Sequence, residues 1–236
     1  MIQSFREIAM RLLSTLKNLV IRSERKRRRI LAGPFKGIQM DLSLRDQSQL
    51  YLGLFEREIY PWLIRLSDGI CTAVDIGAAH GEYTLFFLMK TGATSVRAFE
   101  PDAGCLRLLQ ENLLLNGVAA SGRLDISASF VGDSEGPQRV RLDSLAGSIA
   151  TPCLIKIDVD GEEERVLKGA KTLNALPGIR WLIETHSKEL EVACVKILSE
   201  EGFETRIIRN APWRAVVPEL RPIPHNRWLA AWRPTD

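Results

Sequence analysis

Val74-Asp-Ile-Gly-Ala-Ala-His-Gly81 closes a short apolar run that starts at Cys71 and opens a helical stretch that reaches Lys90. Strand, glycine loop and helix in that order make a βα unit, with the glycines of D-x-G-x-x-x-G at its turn. Gly77 lets the backbone turn tightly, and Gly81 lets a ligand approach the helix start with no Cβ in the way. In an open α/β sheet, ligands bind in the crevice beyond the carboxyl ends of the strands.

The alternation continues on either side of this loop. Strands are expected at 71–76, 95–99, 124–131, 153–159 and 180–184, with a small extra strand at 138–142. Helices are expected at 82–90, 102–116, 162–170 and 188–200, and two closing strands at 203–208 and 227–232. Strands separated by helices of this length give a mainly parallel sheet with helices on both faces. The last two strands have no helix between them, so the seven-stranded α/β sheet ends in an antiparallel edge. Upstream, Gly33-Pro-Phe-Lys-Gly37 reads as a turn, and 47–64 as one helix with Pro61 near its end. The chain divides into an arm (1–32), a helical segment (33–69) and the α/β domain (70–236).

Glu100, in Ala98-Phe-Glu-Pro101, ends the second strand 23 residues after Gly77. A carboxylate there accepts the hydroxyls of a ribose. A dinucleotide fingerprint would read G-x-G-x-x-G, with amides aimed at a pyrophosphate. Here the spacing differs, and Asp75 ahead of the loop repels a pyrophosphate. It suits a cationic tail, such as the ammonium and sulfonium of S-adenosylmethionine (SAM). The cofactor-binding candidates are therefore Asp75, Gly77, Ala78, His80, Gly81, Glu100 and Pro101. Beside the adenine the candidates are Asp133 and the backbone of 127–129.

Leu154-Ile-Lys-Ile-Asp-Val-Asp-Gly-Glu162 ends the fourth main strand. Period-two alternation puts Lys156, Asp158 and Asp160 on one face, emerging at the crevice. Ile183-Glu-Thr-His-Ser187 ends the next strand, with Glu184 and His186 pointing the same way. Together these make a carboxylate–imidazole cluster. His186 is the expected general base, with Asp158 or Glu184 orienting it or the substrate. Lys156, Asp160 and His225 are assigned to the substrate, and His225 is an equal candidate for the base. The segment containing Pro212, Trp213, Pro218 and Pro222 is expected to form a loop over the site. A divalent metal is a rival use of the cluster, but no H-E-x-x-H or similar spacing exists, and no metal ligand is assigned.

Taken together, these motifs resemble the FkbM family of SAM-dependent methyltransferases over about residues 70–205. The most specific pieces are Leu142-Asp-Ser-Leu145 and Ile155-Lys-Ile-Asp-Val-Asp-Gly161, continued by Glu163-Glu-Arg-Val-Leu-Lys-Gly-Ala170. The family usually carries Glu where Asp160 stands. The resemblance implies a Rossmann-like class I methyltransferase fold, SAM as methyl donor, and O-methylation of a sugar, glycolipid or natural product. It matches Asp75, Gly77 and Gly81 to the SAM loop and Glu100 to the ribose acid. Methylation of a nucleic-acid amino group is disfavoured, because Asp158-Val-Asp-Gly161 stands where such enzymes carry an Asn/Asp-Pro-Pro-aromatic turn. Glycine spacing disfavours an NAD oxidoreductase. A SAM-binding scaffold protein recruited by the arm is the non-enzymatic rival.

With 236 residues, 45% hydrophobic and 26% charged, the chain is neither collagenous nor wholly disordered. Cys71, Cys105, Cys153 and Cys194 form no C-x-x-C pair, which argues against a zinc knuckle or disulfide scaffold and for a reducing cytoplasm. The net charge of +3 is uneven: residues 1–30 carry nine Lys/Arg and two Glu. The body is therefore acidic, and nucleic acid is not an expected partner. Ile2, Phe5, Ala9, Leu12, Leu13, Leu16, Leu19 and Val20 recur at helical spacing, ahead of the basic run 22–29. That arm is expected to pack on the body or a partner with a solvated basic turn after it, or to lie on an anionic membrane surface.

Overall fold

The structure, a computed structural model, describes residues 24–211 and 225–234. The expected helix over 2–20 and the proline-rich segment 212–224 lie outside the described residues. The chain starts with β1 (Arg25–Arg29), β2 (Gln39–Ser43), α1 (Leu44–Leu52) and α2 (Tyr60–Ser67). Then come β3 (Thr72–Ile76), α3 (Glu82–Lys90), β4 (Ser95–Phe99), α4 (Ala103–Leu115) and β5 (Leu124–Ser127). A small pair follows, β6 (Phe130–Val131) and β7 (Arg139–Val140). The second half holds β8 (Cys153–Ile157), α5 (Glu163–Lys168), α6 (Lys171–Asn174), β9 (Ile179–Thr185), α7 (Lys188–Glu200), β10 (Glu204–Ile208) and β11 (Arg227–Trp232).

The main sheet runs β10-β11-β9-β8-β3-β4-β5. Its strands are parallel except β11, which is antiparallel to both neighbours. The expected antiparallel pair is present, with β11, the later in sequence, on its inner side. From β3 the chain winds outward to β4 and β5, then returns to β8 and winds the other way. The order therefore reverses between β3 and β8, which is where a doubly wound sheet opens its ligand crevice. The Asp158 amide donates to the Ile76 carbonyl there (3.0 Å), so the ends of β3 and β8 are held side by side.

Alternate residues of each strand bury opposite faces. Ala73, Val96, Leu154, Leu182 and Trp228 join one core with Leu63 of α2, Leu85 of α3 and Leu109 of α4. Val74, Ile155, Ile183 and Leu229 join the other with Val166 of α5 and Leu198 of α7. Among the described residues no helix is long and apolar enough to cross a membrane.

The basic run is not a solvated turn. Arg25–Arg29 pairs antiparallel with β2 across the turn at 33–37. Ile30, Phe35, Ile38, Met40 and Leu42 are buried, and their burial draws the run onto the body. The arginine head groups stay at the periphery: Arg27 Nε donates to Gln39 Oε1 (2.8 Å), and Arg28 lies 5.9 Å from the Tyr51 ring centre. Asn112 of α4 clamps the hairpin to the glycine loop, accepting from the Asp41 amide (2.8 Å) and donating to the His80 carbonyl (2.8 Å).

Three further elements depart from the sequence reading. The helix expected over 47–64 is two helices, because Gly53 takes a left-handed conformation (φ 71°) and closes α1. Pro61 then stands in the first turn of α2, where its missing N–H is no loss. The strand expected over 124–131 splits, and β6 leaves the main sheet to pair in parallel with β7. The helix expected over 162–170 breaks at Gly169, where a Cβ would lie 2.0 Å from the Gly132 carbonyl oxygen.

Candidate active site

A cleft of about 570 Å³ opens over the β3/β8 reversal, within the usual range for small-ligand sites. Gly77 forms its floor with φ 74°, and a Cβ there would lie 1.9 Å from the Asp158 carbonyl oxygen. Only glycine lets the two strand ends approach this closely. Glu100 forms one wall and is 7% exposed. Its carboxylate accepts from the Ala79 amide (2.7 Å) and the Asp102 amide (2.9 Å), one on each oxygen. Each oxygen keeps acceptor capacity for a ligand hydroxyl. Pro101 also lines the cleft, and Ser129, Phe130 and Val131 form the facing wall. Phe130 offers an exposed ring, and the sequence reading missed it.

Among the described residues, five that line the cleft are acidic, Glu100, Asp102, Asp158, Asp160 and Glu162, against one lining cation, Arg139. A pocket of this sign favours a cationic ligand. A larger depression of about 660 Å³ follows β10 at the edge of the sheet. It is lined by Trp62, Arg206, Arg209 and Arg227 among others, with no carboxylate or imidazole.

Several expected site residues support the cleft from beneath or turn away from it. Asp75 is fully buried, accepting from Thr84 Oγ1 (2.6 Å) and lying 3.1 Å from Lys156 Nζ. Its charge is met inside the protein, so it is not the open carboxylate that was to select a cation; the lining acids carry that charge. Lys156 is 2% exposed and donates to the Gly77 carbonyl (2.8 Å), so it braces the loop and is not a substrate residue. Burial opposes its charge, but Asp75, Asp158 and Glu82 outweigh burial and raise its pKa. Ala78 is buried. His80 turns away to Gln47 (3.0 Å), and burial, then Arg25, lowers its pKa. Gly81 has φ 89°, and a Cβ there would meet Leu109 Cγ at 3.1 Å, so it serves helix packing and not ligand approach. Asp133 lies 3.7 Å from Arg165, outside the cleft lining.

The structure does gather the carboxylate–imidazole cluster. His186 Nε2 lies 3.6 Å from Asp158, 3.5 Å from Asp160 and 3.9 Å from Glu184. Its Nδ1 bonds to Glu163, a fully buried carboxylate that the sequence reading did not single out. The signal was present: Glu163, Val166, Leu167 and Ala170 recur at i, i+3, i+4 and i+7, and all four are buried. Burial opposes charge on His186, but the Glu163 bond and the Asp158, Glu163 and Asp160 carboxylates outweigh it and raise the pKa. The ring is thus a weaker free base at neutral pH than an ordinary histidine. His225 is not brought into the cluster: it faces Glu191 of α7 at 3.8 Å, as does Arg227.

Glu82, at the start of α3, is a further ionisable group that the sequence reading passed over. Burial pushes its pKa up from 4.5 to about 7, with Asp75 and Asp158 adding to the rise and Lys156 opposing it. The folded state therefore holds this proton over a range where the unfolded chain has lost it. The resulting stabilisation is complete below the unfolded pKa and fades as pH rises through about 7. Glu82→Gln is expected to gain stability relative to the parent between pH 5 and 8, by about 1–3 kcal/mol, in urea unfolding at the two pH values.

Comparison with family models and with curated proteins finds no match. Solved structures do match. A methyltransferase FkbM from Methylobacillus flagellatus aligns with a TM-score of 0.53 and 20% identity, over 68% of this chain. The alignment covers 43% of that protein, so the present chain spans less than half its length. Precorrin-6y C5,15-methyltransferase from Geobacter metallireducens aligns with a TM-score of 0.52 and 16% identity, over 78% of this chain and 89% of that one. The fold is that of the class I methyltransferases. SMU.1697c from Streptococcus mutans, solved in complex with S-adenosylhomocysteine (SAH), aligns with a TM-score of 0.51 and 14% identity, over 75% of this chain and 97% of that one. In this methyltransferase fold the cleft lies at the carboxyl ends of β3, β4 and β8, with the imidazole cluster at its β8–β9 end.

Proposed function

We propose that the chain is a SAM-dependent methyltransferase that methylates a hydroxyl of a sugar, glycolipid or natural product. The observation that carries the reading is the lining of the cleft: among the described residues, five carboxylates against one guanidinium, with Glu100 oriented by two backbone amides. The methyltransferase fold and the SAH in the Streptococcus mutans structure support SAM. The hydroxyl acceptor rests on the FkbM resemblance in the sequence.

In this reading Glu100 accepts from the ribose hydroxyls, and Phe130 and Val131 flank the adenine. The sulfonium stands toward Asp158. The acceptor oxygen attacks the methyl carbon in line, the S–CH3 bond breaks as the O–CH3 bond forms, and SAH leaves. The hydroxyl proton passes to the Asp158–Glu184–His186 cluster, at the end of the cleft where acceptor groups converge. Alignment and water exclusion supply most of the rate, and proton removal typically adds 10²–10⁴-fold.

Calorimetry with SAM and with NAD tests the donor. SAM is expected to bind and NAD not; the reverse would overturn the reading. Glu100→Ala is expected to weaken SAM binding about 10- to 100-fold, through loss of two charge-assisted hydrogen bonds. Transfer from tritiated SAM to a panel of glycans and lipid-linked sugars tests the acceptor class.

A further inference from the structure

We propose that Asp158, Glu184 and His186 form a divalent-cation site at the acceptor end of the cleft. One donor atom from each lies within 4.8 Å of the other two. The His186 Nε2 separations from Asp158 (3.6 Å) and Glu184 (3.9 Å) are within reach of two ligands on one cation, at bond lengths of about 2.0–2.2 Å. Two carboxylates and one imidazole suit a cation that takes both oxygen and nitrogen, such as Mn²⁺. The donors come from the ends of adjacent parallel strands, β8 and β9, in register through the Ile157–Ile183 pair. Asp158 stands 26 residues before Glu184 in the chain, so no compact ligand motif marks the site, and the sequence reading assigned no metal ligand.

A separate observation points to the same place. Asn226 is 8% exposed, and both atoms of its side-chain amide are buried without a hydrogen-bond partner. Its neighbours His225 and Arg227 both turn to Glu191 of α7. Asn226 immediately precedes β11, and strand alternation carried back one residue assigns it to the opposite face, which Trp228 shares with its cross-strand partner Glu184. The register ends at the Arg227–Thr185 pair, which Asn226 immediately precedes on β11 and His186 immediately follows on β9. A buried amide with no partner is uncommon, and a cation or its bound water satisfies the carbonyl oxygen. On the other side, Glu163 holds His186 Nδ1 and leaves Nε2 toward the carboxylates, which is how ligating imidazoles are oriented.

The role of the cation rests on the methyl-transfer reading, since a cation there would lower the pKa of a bound acceptor hydroxyl. Binding of the cation does not rest on it. The test is titration of the full chain with Mn²⁺, in the absence of SAM, followed by electron paramagnetic resonance of free Mn²⁺ and by calorimetry. One Mn²⁺ per chain is expected. Asp158→Asn and Glu184→Gln are each expected to weaken it at least 10-fold, and Glu163→Gln about 10- to 100-fold through the imidazole it orients. Asp133→Asn, outside the cleft lining, should leave the titration unchanged. Circular dichroism establishes which variants fold; should Glu184→Gln fail, Asp158→Asn on the cleft wall decides. No binding at millimolar Mn²⁺, or binding that survives both Asp158→Asn and His186→Ala, overturns the site. SAM calorimetry on the same protein reads the donor separately, so either reading can fail without the other.

Discussion

Replacing Lys156 by methionine is expected to cost about 3–5 kcal/mol of folding stability, the range for removing one partner of a buried ion pair. The ammonium lies 3.1 Å from Asp75 and 3.9 Å from Asp158, donates to the Gly77 carbonyl (2.8 Å), and sits 5.0 Å from the Tyr83 ring centre. Methionine nearly preserves the volume, so the loss is electrostatic and not a cavity effect. It leaves Asp75 fully buried with Thr84 as its remaining donor, and strips the Gly77 carbonyl of its side-chain partner. Adding Asp75→Asn removes the uncompensated charge, and the double variant is expected to recover more than half of the loss. Urea unfolding of both variants measures this. A single variant within about 1 kcal/mol of the parent would show that the pair is not what holds the loop. Because Lys156 braces Gly77, the same variant should also weaken any ligand seated on that loop.

The β-α alternation was legible because buried strands and helices leave strong periodicities. Ser95–Phe99, Glu82–Lys90, Lys188–Glu200 and Arg227–Trp232 coincide with the expected bounds. The elements that escaped are those in which local chemistry points one way and packing another. Arg25–Arg29 has no apolar side chain, and its strand conformation is dictated by Met40 and Leu42 on the partner strand and by Ile30, Phe35 and Ile38 around the turn. Gly53 and Gly169 break helices for opposite reasons: a left-handed cap at the first, and close contact with the Gly132 carbonyl at the second. The same limit governs the site. Sequence parity brought Asp158, Glu184 and His186 to one place, but could not tell a lining carboxylate from one already paired. Asp75 and Lys156 sit on adjacent strands, matched in register, and cancel one another below the cleft. Asn226 could not be found at all, since only the pairing of β11 with β9, which ends at Arg227–Thr185, brings its end of the strand beside the end of β9.

His186→Ala is expected to lower methyl transfer by 10²–10⁴-fold, equivalent to about 2.7–5.4 kcal/mol of transition-state stabilisation. The ring lies 3.6 Å from Asp158 and 3.9 Å from buried Glu184, which is where the proposed function sends the acceptor proton. His186 is not among the described residues that line the cleft with Glu100 and Phe130, so under the proposed function SAM affinity should hold within about twofold while kcat falls. That split separates the cluster from the loop: Glu100→Ala acts on SAM binding, and His186→Ala on the step that follows. The size of the loss follows from what remains. Without the imidazole, the carboxylates of Glu163, Asp158, Asp160 and Glu184 lose a group able to carry positive charge, with Lys156 still 3.9 Å from Asp158, and an incoming hydroxyl must ionise against a more negative field. Asp158→Asn relieves part of the repulsion but also removes a proton acceptor, so its loss should be smaller than that of His186→Ala. Single-turnover transfer with saturating SAM measures both. Equal rates for His186→Ala and the parent would remove the cluster from the chemistry and leave it a structural knot between β8, β9 and α5.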